Sequence, residues 1–220
     1  MLKSCQIIYM AYLWLSKVTV SSAIMNTGHS SHTISSFYRH FRSLVASTLQ
    51  EEDQVIGGQG IIVEVDETKM GKRKYNRGHR VDGVWVVAGV ERTAERKMFL
   101  VAVENRNSET LTNLIMSHVK EGSIIHTDMW KGYGSITLQT GLQHKTVNHS
   151  KHYKDPITNV HTNYIEGSNN GLKTRIPVRA RTCEEIDDHL MEFIWRRKNE
   201  GKNLWEAFIN AIREIHYDLQ

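Results

Sequence analysis

Asp66, Asp128 and Glu166 are the residues in this chain whose types and spacing could do chemistry. Asp66 closes the apolar run Ile61-Ile62-Val63-Glu64-Val65, and Asp128 closes Ser123-Ile124-Ile125-His126-Thr127, so both are expected at strand ends. Glu166 lies early in a stretch of helical character, Asn163 through Lys173. Two strand-end aspartates and a glutamate on a later helix can converge on a pair of divalent cations. Hard cations prefer carboxylate oxygen, and two of them about 3.5–4 Å apart clamp the attacking and leaving oxygens of a phosphodiester. The chemistry implied is cutting of a nucleic-acid strand. Singly, each aspartate is more often a turn residue at a strand end; the three together, in the right elements, carry the reading.

The elements that must position these acids need a core. At 220 residues and 40% hydrophobic content the chain can bury a sizeable one, which favours a main domain with a small appendage. A net charge of +4 and a pI near 9.0 are weak arguments for nucleic acid, but the cations cluster. Lys69, Lys72, Arg73, Lys74, Arg77 and Arg80 crowd one segment without an acid, and Lys173, Arg175, Arg179 and Arg181 crowd another. Each run follows a candidate carboxylate, which favours phosphate contacts over a merely solvated loop. The two cysteines, Cys5 and Cys183, form no CxxC, so neither a zinc ribbon nor a disulfide framework is expected, and a reducing compartment fits. The 12 histidines include no His-x3-His pair of the kind a helical zinc site uses.

Residues 1–50 read as a helical module. The apolar stretch Ile7 to Leu15 resembles a short signal-peptide core, but no small-residue cleavage site follows it closely, and it falls short of the about 20 residues a membrane span needs. A buried first helix is the reading preferred. Val18 to Met25, the turn Asn26-Thr27-Gly28, and a helix capped by Ser31-His32-Thr33 give a helix-turn-helix outline, with Arg39 and Arg42 as candidate DNA contacts. Residues 51–60, with Gly57, Gly58 and Gly60, read as a linker. Residues 61–220 then change period. Strands are expected at Ile61–Asp66, Gly83–Val90 and Met98–Val103, a helix from Ser108 to Lys120, and a strand ending at Asp128. A short helix from Trp130 to Leu138, a strand near His144–Val147, and helices from Asn163, from Glu184 to Arg197 and from Asn203 to Leu219 follow. Trp195 and Trp205 are expected in helix packing. This order predicts an α/β, ribonuclease H-like mixed sheet flanked by helices, in which the strand of Asp128 pairs beside that of Asp66 and the helix of Glu166 passes over both.

Several segments resemble the successive blocks of a DDE transposase superfamily that joins bacterial insertion-sequence enzymes with the eukaryotic Merlin elements. They are Val65-Asp66-Glu67-Thr68 with Gly71 to Gly78, Gly83-Val84-Trp85-Val86, Thr127-Asp128-Met129-Trp130-Lys131-Gly132-Tyr133 and Val147-Asn148-His149-Ser150. His161 to Glu166 with Lys173, and Glu192-Phe193-Ile194-Trp195-Arg196-Arg197, complete the match over roughly residues 57 to 200. The resemblance implies cleavage of double-stranded DNA at element ends and joining of the freed 3′-hydroxyl to target DNA. It also implies a homo-oligomer on DNA and two Mg2+ or Mn2+ ions held by Asp66, Asp128 and Glu166. Lys173 would contact DNA near the cut, with Lys72, Arg73, Lys74, Arg77 and Arg175 as further contacts. Two features depart from the pattern: Asn169 stands where relatives carry a tryptophan, within Gly167-Ser168-Asn169-Asn170-Gly171, and no zinc ribbon precedes the domain. Some relatives use asparagine as the third ligand, which leaves Asn163 as an alternative to Glu166. The competing readings are a catalytically silent DNA-binding derivative and a ribonuclease acting on RNA–DNA hybrids. No membrane association is expected; the nucleus in a eukaryote, or the cytoplasm or nucleoid otherwise, is the expected location.

Overall fold

The computed structural model describes residues 2–71, 83–148, 155–156 and 159–214, which form two compact units, Met1–Leu49 with Met191–Gln220, and Gln50–Leu190. In the first unit, α1 (Ser4–Leu15), α2 (Val20–Thr27) and α3 (Ser31–Ser47) pack with α8 (Leu204–Glu214). Their ends follow local chemistry. The Thr19 hydroxyl accepts from the Ser22 N–H to start α2, Gly28 ends it at φ +70°, and the Ser30 hydroxyl accepts from the Thr33 N–H to start α3. Trp14, Phe41, Trp195 and Phe208 fill the core of this unit, with Trp205 packed against it. Buried Arg196, on α7 (Ile186–Lys198), donates to the carbonyls of Trp14 and Leu15 at 3.0 and 3.1 Å. It thereby gives the Leu15 carbonyl a donor and the Trp14 carbonyl, which already accepts the Lys17 N–H, a second one, at the C-terminus of α1 where a cation also suits the helix dipole.

The second unit is built on a five-stranded mixed sheet of order β3-β2-β1-β4-β5. Its strands are β1 (Ile62–Lys69), β2 (Trp85–Glu91), β3 (Met98–Val103), β4 (Ile124–Asp128) and β5 (Gln143–Val147). The first three pair antiparallel, while β4 lies parallel to both β1 and β5. Helices α4 (Ser108–His118), α5 (Ile136–Thr140) and α6 (Asn163–Arg175) complete the order expected from the sequence. The sheet flanked by helices is compatible with a ribonuclease H-like fold. Several boundaries differ from expectation. β1 continues three residues beyond Asp66, because antiparallel pairing with β2 carries on to Lys69↔Trp85. The helix expected over Trp130–Leu138 is a 3-10 turn at Lys131–Tyr133 followed by the separate α5. α4 begins at Ser108 as expected, with Asn107 as its cap accepting from the Thr110 N–H at 2.8 Å, but it ends at His118, before the expected Lys120.

Side chains alternate along β1 and divide the sheet's chemistry between two faces. Val63 and Val65 join Phe99, Leu111, Ile115, Ile125 and Tyr133 in the core on one face. Glu64 and Asp66 lie on the other, where both meet α6.

Candidate active site

The pairing of β1 with β4 spans Ile62–Glu64 and Ile124–His126. Beyond it the two parallel strands carry Asp66 and Asp128 to the same edge of the sheet. Asp66 Oδ1 accepts the Glu67 N–H at 2.8 Å, and Asp128 Oδ1 accepts the Trp130 N–H at 2.9 Å. Burial, reinforced by the charges of Glu67 and Asp128, pushes the Asp66 carboxyl up to about 7. Desolvation and like charge both disfavour an anion, so this aspartate holds a proton far more tightly than an exposed one.

Helix α6 supplies the side chain that meets Asp66, and it is Asn169: its Nδ2 donates to Asp66 Oδ2 at 2.8 Å. Glu166, one turn earlier, accepts the Thr162 hydroxyl at 2.9 Å. Despite Gly167 and Gly171 the helix is continuous from Asn163 to Arg175. Lys173 and Arg175 are exposed in its last turn, Arg39 is exposed and Arg42 half-buried on α3, and Lys72, Arg73, Lys74 and Arg77 lie outside the described residues. The structure therefore brings Asp66 and Asp128 together and packs the helix of Glu166 on β1 and β2, where its Asn169 meets Asp66. Among the described residues, no group of three or more His, Cys, Asp and Glu side chains forms a metal-binding cluster.

The oxygens present nevertheless suit a hard cation. Asp66 and Asp128 carry like charge at close range, and the side-chain carbonyls of Asn169 and Asn163 are buried without a hydrogen-bond partner. Buried amide oxygens are ordinarily satisfied, and a divalent cation accepts such oxygens alongside carboxylates. Asp66, Asp128 and Asn169 are the donors this arrangement offers most directly.

The position of α6 has its own anchor, which the sequence reading passed over. Glu64 is fully buried, and its Oε2 accepts the N–H groups of Tyr164 and Ile165 at 2.8 and 3.0 Å, at the start of α6. Its Oε1 receives Arg92 Nε and lies 3.4 Å from His161 Nδ1. Arg92 also donates to the His161 carbonyl and lies 3.2 Å from His126 Nδ1. Burial and the neighbouring Arg92 charge lower His126 to about 4, which keeps it neutral near pH 7. A carboxylate at the positive end of a helix dipole, paired with an arginine, ties α6 to β1. The available signal was a charged residue inside an apolar strand, two positions before Asp66 and so on the same face.

A five-stranded mixed sheet with aspartates on two parallel neighbours, and a helix whose Asn169 meets one of them, is compatible with a ribonuclease H-like fold. Comparison with known families matches residues 55–198 to the ISXO2-like transposase domain, and the chain belongs to this family of bacterial insertion-sequence transposases. The chain is also similar to an uncharacterised transposase-like protein of Haemophilus influenzae, 34% identical over 107 residues, which cover 47% of this chain and 82% of that protein. Family membership makes DNA the partner. Among the described residues no helix is long and apolar enough to cross a membrane.

Proposed function

We propose that this chain is a DDE-type transposase of ribonuclease H-like fold, akin to the Merlin elements, which cuts DNA at element ends and transfers the freed strand. The observation that carries the reading is the convergence of Asp66 and Asp128 on the parallel strands β1 and β4, close enough for the Asp128 charge to raise the Asp66 carboxyl. In cleavage, a water oxygen attacks phosphorus, the bond to the 3′-oxygen breaks, and that oxygen leaves as a hydroxyl once protonated. In transfer, the 3′-hydroxyl attacks a target phosphodiester and displaces another 3′-oxygen. Divalent Mg2+ or Mn2+, held by Asp66 and Asp128 with Glu166 or an α6 amide oxygen, would supply charge neutralisation for the attacking and leaving oxygens. Asn169 keeps Asp66 oriented, and Trp130 N–H does the same for Asp128. Lys173, exposed and two turns beyond Glu166, is suited to a DNA phosphate near the cut.

The test uses duplex DNA carrying the terminal repeats that flank the gene in its genome. Wild-type protein with Mg2+ or Mn2+ should nick it, and Asp66→Asn or Asp128→Asn should lower the rate by about a thousandfold or more with the fold retained. Cleavage at the wild-type rate by either variant rules out the assignment. Glu166→Gln and Asn169→Ala then rank the α6 donors by how far each raises the metal concentration needed.

A further inference from the structure

Arg106 follows β3 and is held between two indoles, its guanidinium carbon 4.2 Å from the Trp85 ring centre and 4.4 Å from that of Trp130. Its Nη1 donates to Glu67 Oε1 at 3.2 Å, while Glu67 Oε2 accepts the Tyr133 hydroxyl at 2.9 Å. Burial and the Glu67 charge push the Tyr133 phenol well above its ordinary range, so it remains a donor. Gly132 closes the clamp, because a Cβ there would stand 1.9 Å from Trp130 Cζ3. These contacts account physically for the Asp128-Met129-Trp130-Lys131-Gly132-Tyr133 segment. Asp128 fixes the turn, Trp130 lies over Gly132 against Arg106, and Tyr133 reaches Glu67.

The clamp adjoins both aspartates through the chain, since Glu67 follows Asp66 and the Trp130 N–H binds Asp128. Register puts it on the same edge: Lys69 is opposite Trp85, Trp85 is opposite Val103, and β4 runs parallel to β1. Lys69 Nζ is 5.5 Å from the Trp85 ring centre, and Lys131 is exposed beside Trp130. Glu67 is 2% exposed, yet Arg106 keeps 37% of its side chain open to solvent. A guanidinium has five donors in a rigid fork, so one engaged with Glu67 leaves others for a second anion. A DNA strand approaching Asp66 and Asp128 meets like charge, and cations on the same edge offset that repulsion.

We propose, building on the transposase reading, that the Trp85–Arg106–Trp130 clamp with Lys69 and Lys131 binds backbone phosphate of the DNA strand that crosses the carboxylate edge. The indoles hold the guanidinium in one orientation, Arg106 receives the phosphate, and the two lysines flank it. Sequence-independent binding to a short random duplex is measured at several salt concentrations for wild type, Arg106→Met and the Lys69→Met/Lys131→Met pair. Near-UV circular dichroism of the tryptophans reports whether the clamp remains folded. Arg106→Met should weaken binding several-fold and make the slope of log affinity against log salt shallower by roughly 0.9, and the lysine pair by roughly twice that. A folded Arg106→Met variant with the wild-type slope overturns the proposal while the transposase reading stands. Should Arg106→Met not fold, the exposed lysine pair decides: a shallower slope supports the site and an unchanged slope overturns it. Wild-type protein that binds no DNA overturns both.

Discussion

Glu64 and Asp66 sit two residues apart on the same face of one strand, under the same helix, and their surroundings are opposite. Glu64 accepts from two backbone N–H groups and an arginine, with a histidine at 3.4 Å. Asp66 has one backbone N–H, one amide and two carboxylate neighbours, and its proton affinity rises accordingly. One carboxylate is matched by partners of the protein's own making; the other is left with surplus negative charge at the sheet edge. The difference separates an anchor from a site. Burying an anion is costly unless a cation balances it, so a carboxylate with like-charged neighbours marks where an external cation would be stabilising.

Breaking the anchor should have the largest effect. Glu64→Ala leaves Arg92 without its buried partner and two α6 N–H groups unsatisfied, which should cost about 3–5 kcal/mol in denaturant unfolding. A loss below about 1 kcal/mol would show that α6 is held by packing alone.

The site should respond with the opposite sign. Because the folded-state Asp66 carboxyl is raised to about 7 from 3.8, the folded chain binds more protons over that window, and stability falls as pH rises through it. In chelator at pH 8, Asp66→Asn should therefore be more stable than wild type by on the order of 1–3 kcal/mol, with the gap closing near pH 4. His126 runs the other way: lowered to about 4, it contributes stability above its ordinary 6.5 that is lost as pH falls toward 4. A wild-type profile parallel to that of Asp66→Asn across pH 4 to 8 would mean that Asp66 is not strained by its neighbours. Added Mn2+ should narrow the gap at pH 8 by binding the wild type alone.

The smallest effect sharpens the comparison along α6 itself. A Cβ at Gly167 would meet nothing within 4 Å, so Gly167→Ala should stabilise the protein by about 0.5–1 kcal/mol through the unfolded chain. Thermal unfolding checks this, and a destabilised variant would indicate that the glycine serves a backbone need at the site.

Much of this architecture was legible in sequence. Apolar alternation and turn residues are local signals, and they located all five strands and the helices between them. The apolar runs ending in Asp66 and Asp128 could be aligned as neighbours because the order of elements restricts how a sheet can be threaded. Arg92, directly after β2, joins Glu64 to His126 and the His161 carbonyl, and nothing near it in sequence carries that information. Asn169 was legible only as a missing tryptophan, while the fold made it the α6 residue that touches Asp66. Arg106 was silent altogether until β1, β2, β3 and the turn after β4 were brought to one edge. By itself, then, the sequence determined the elements, their order and the two aspartates, since these follow from periodicity within a few residues. Only the tertiary structure decided which buried charge is neutralised and which is left exposed to a ligand, because that depends on partners as far apart in the chain as Glu64 and Ile165, or Asp66 and Asn169.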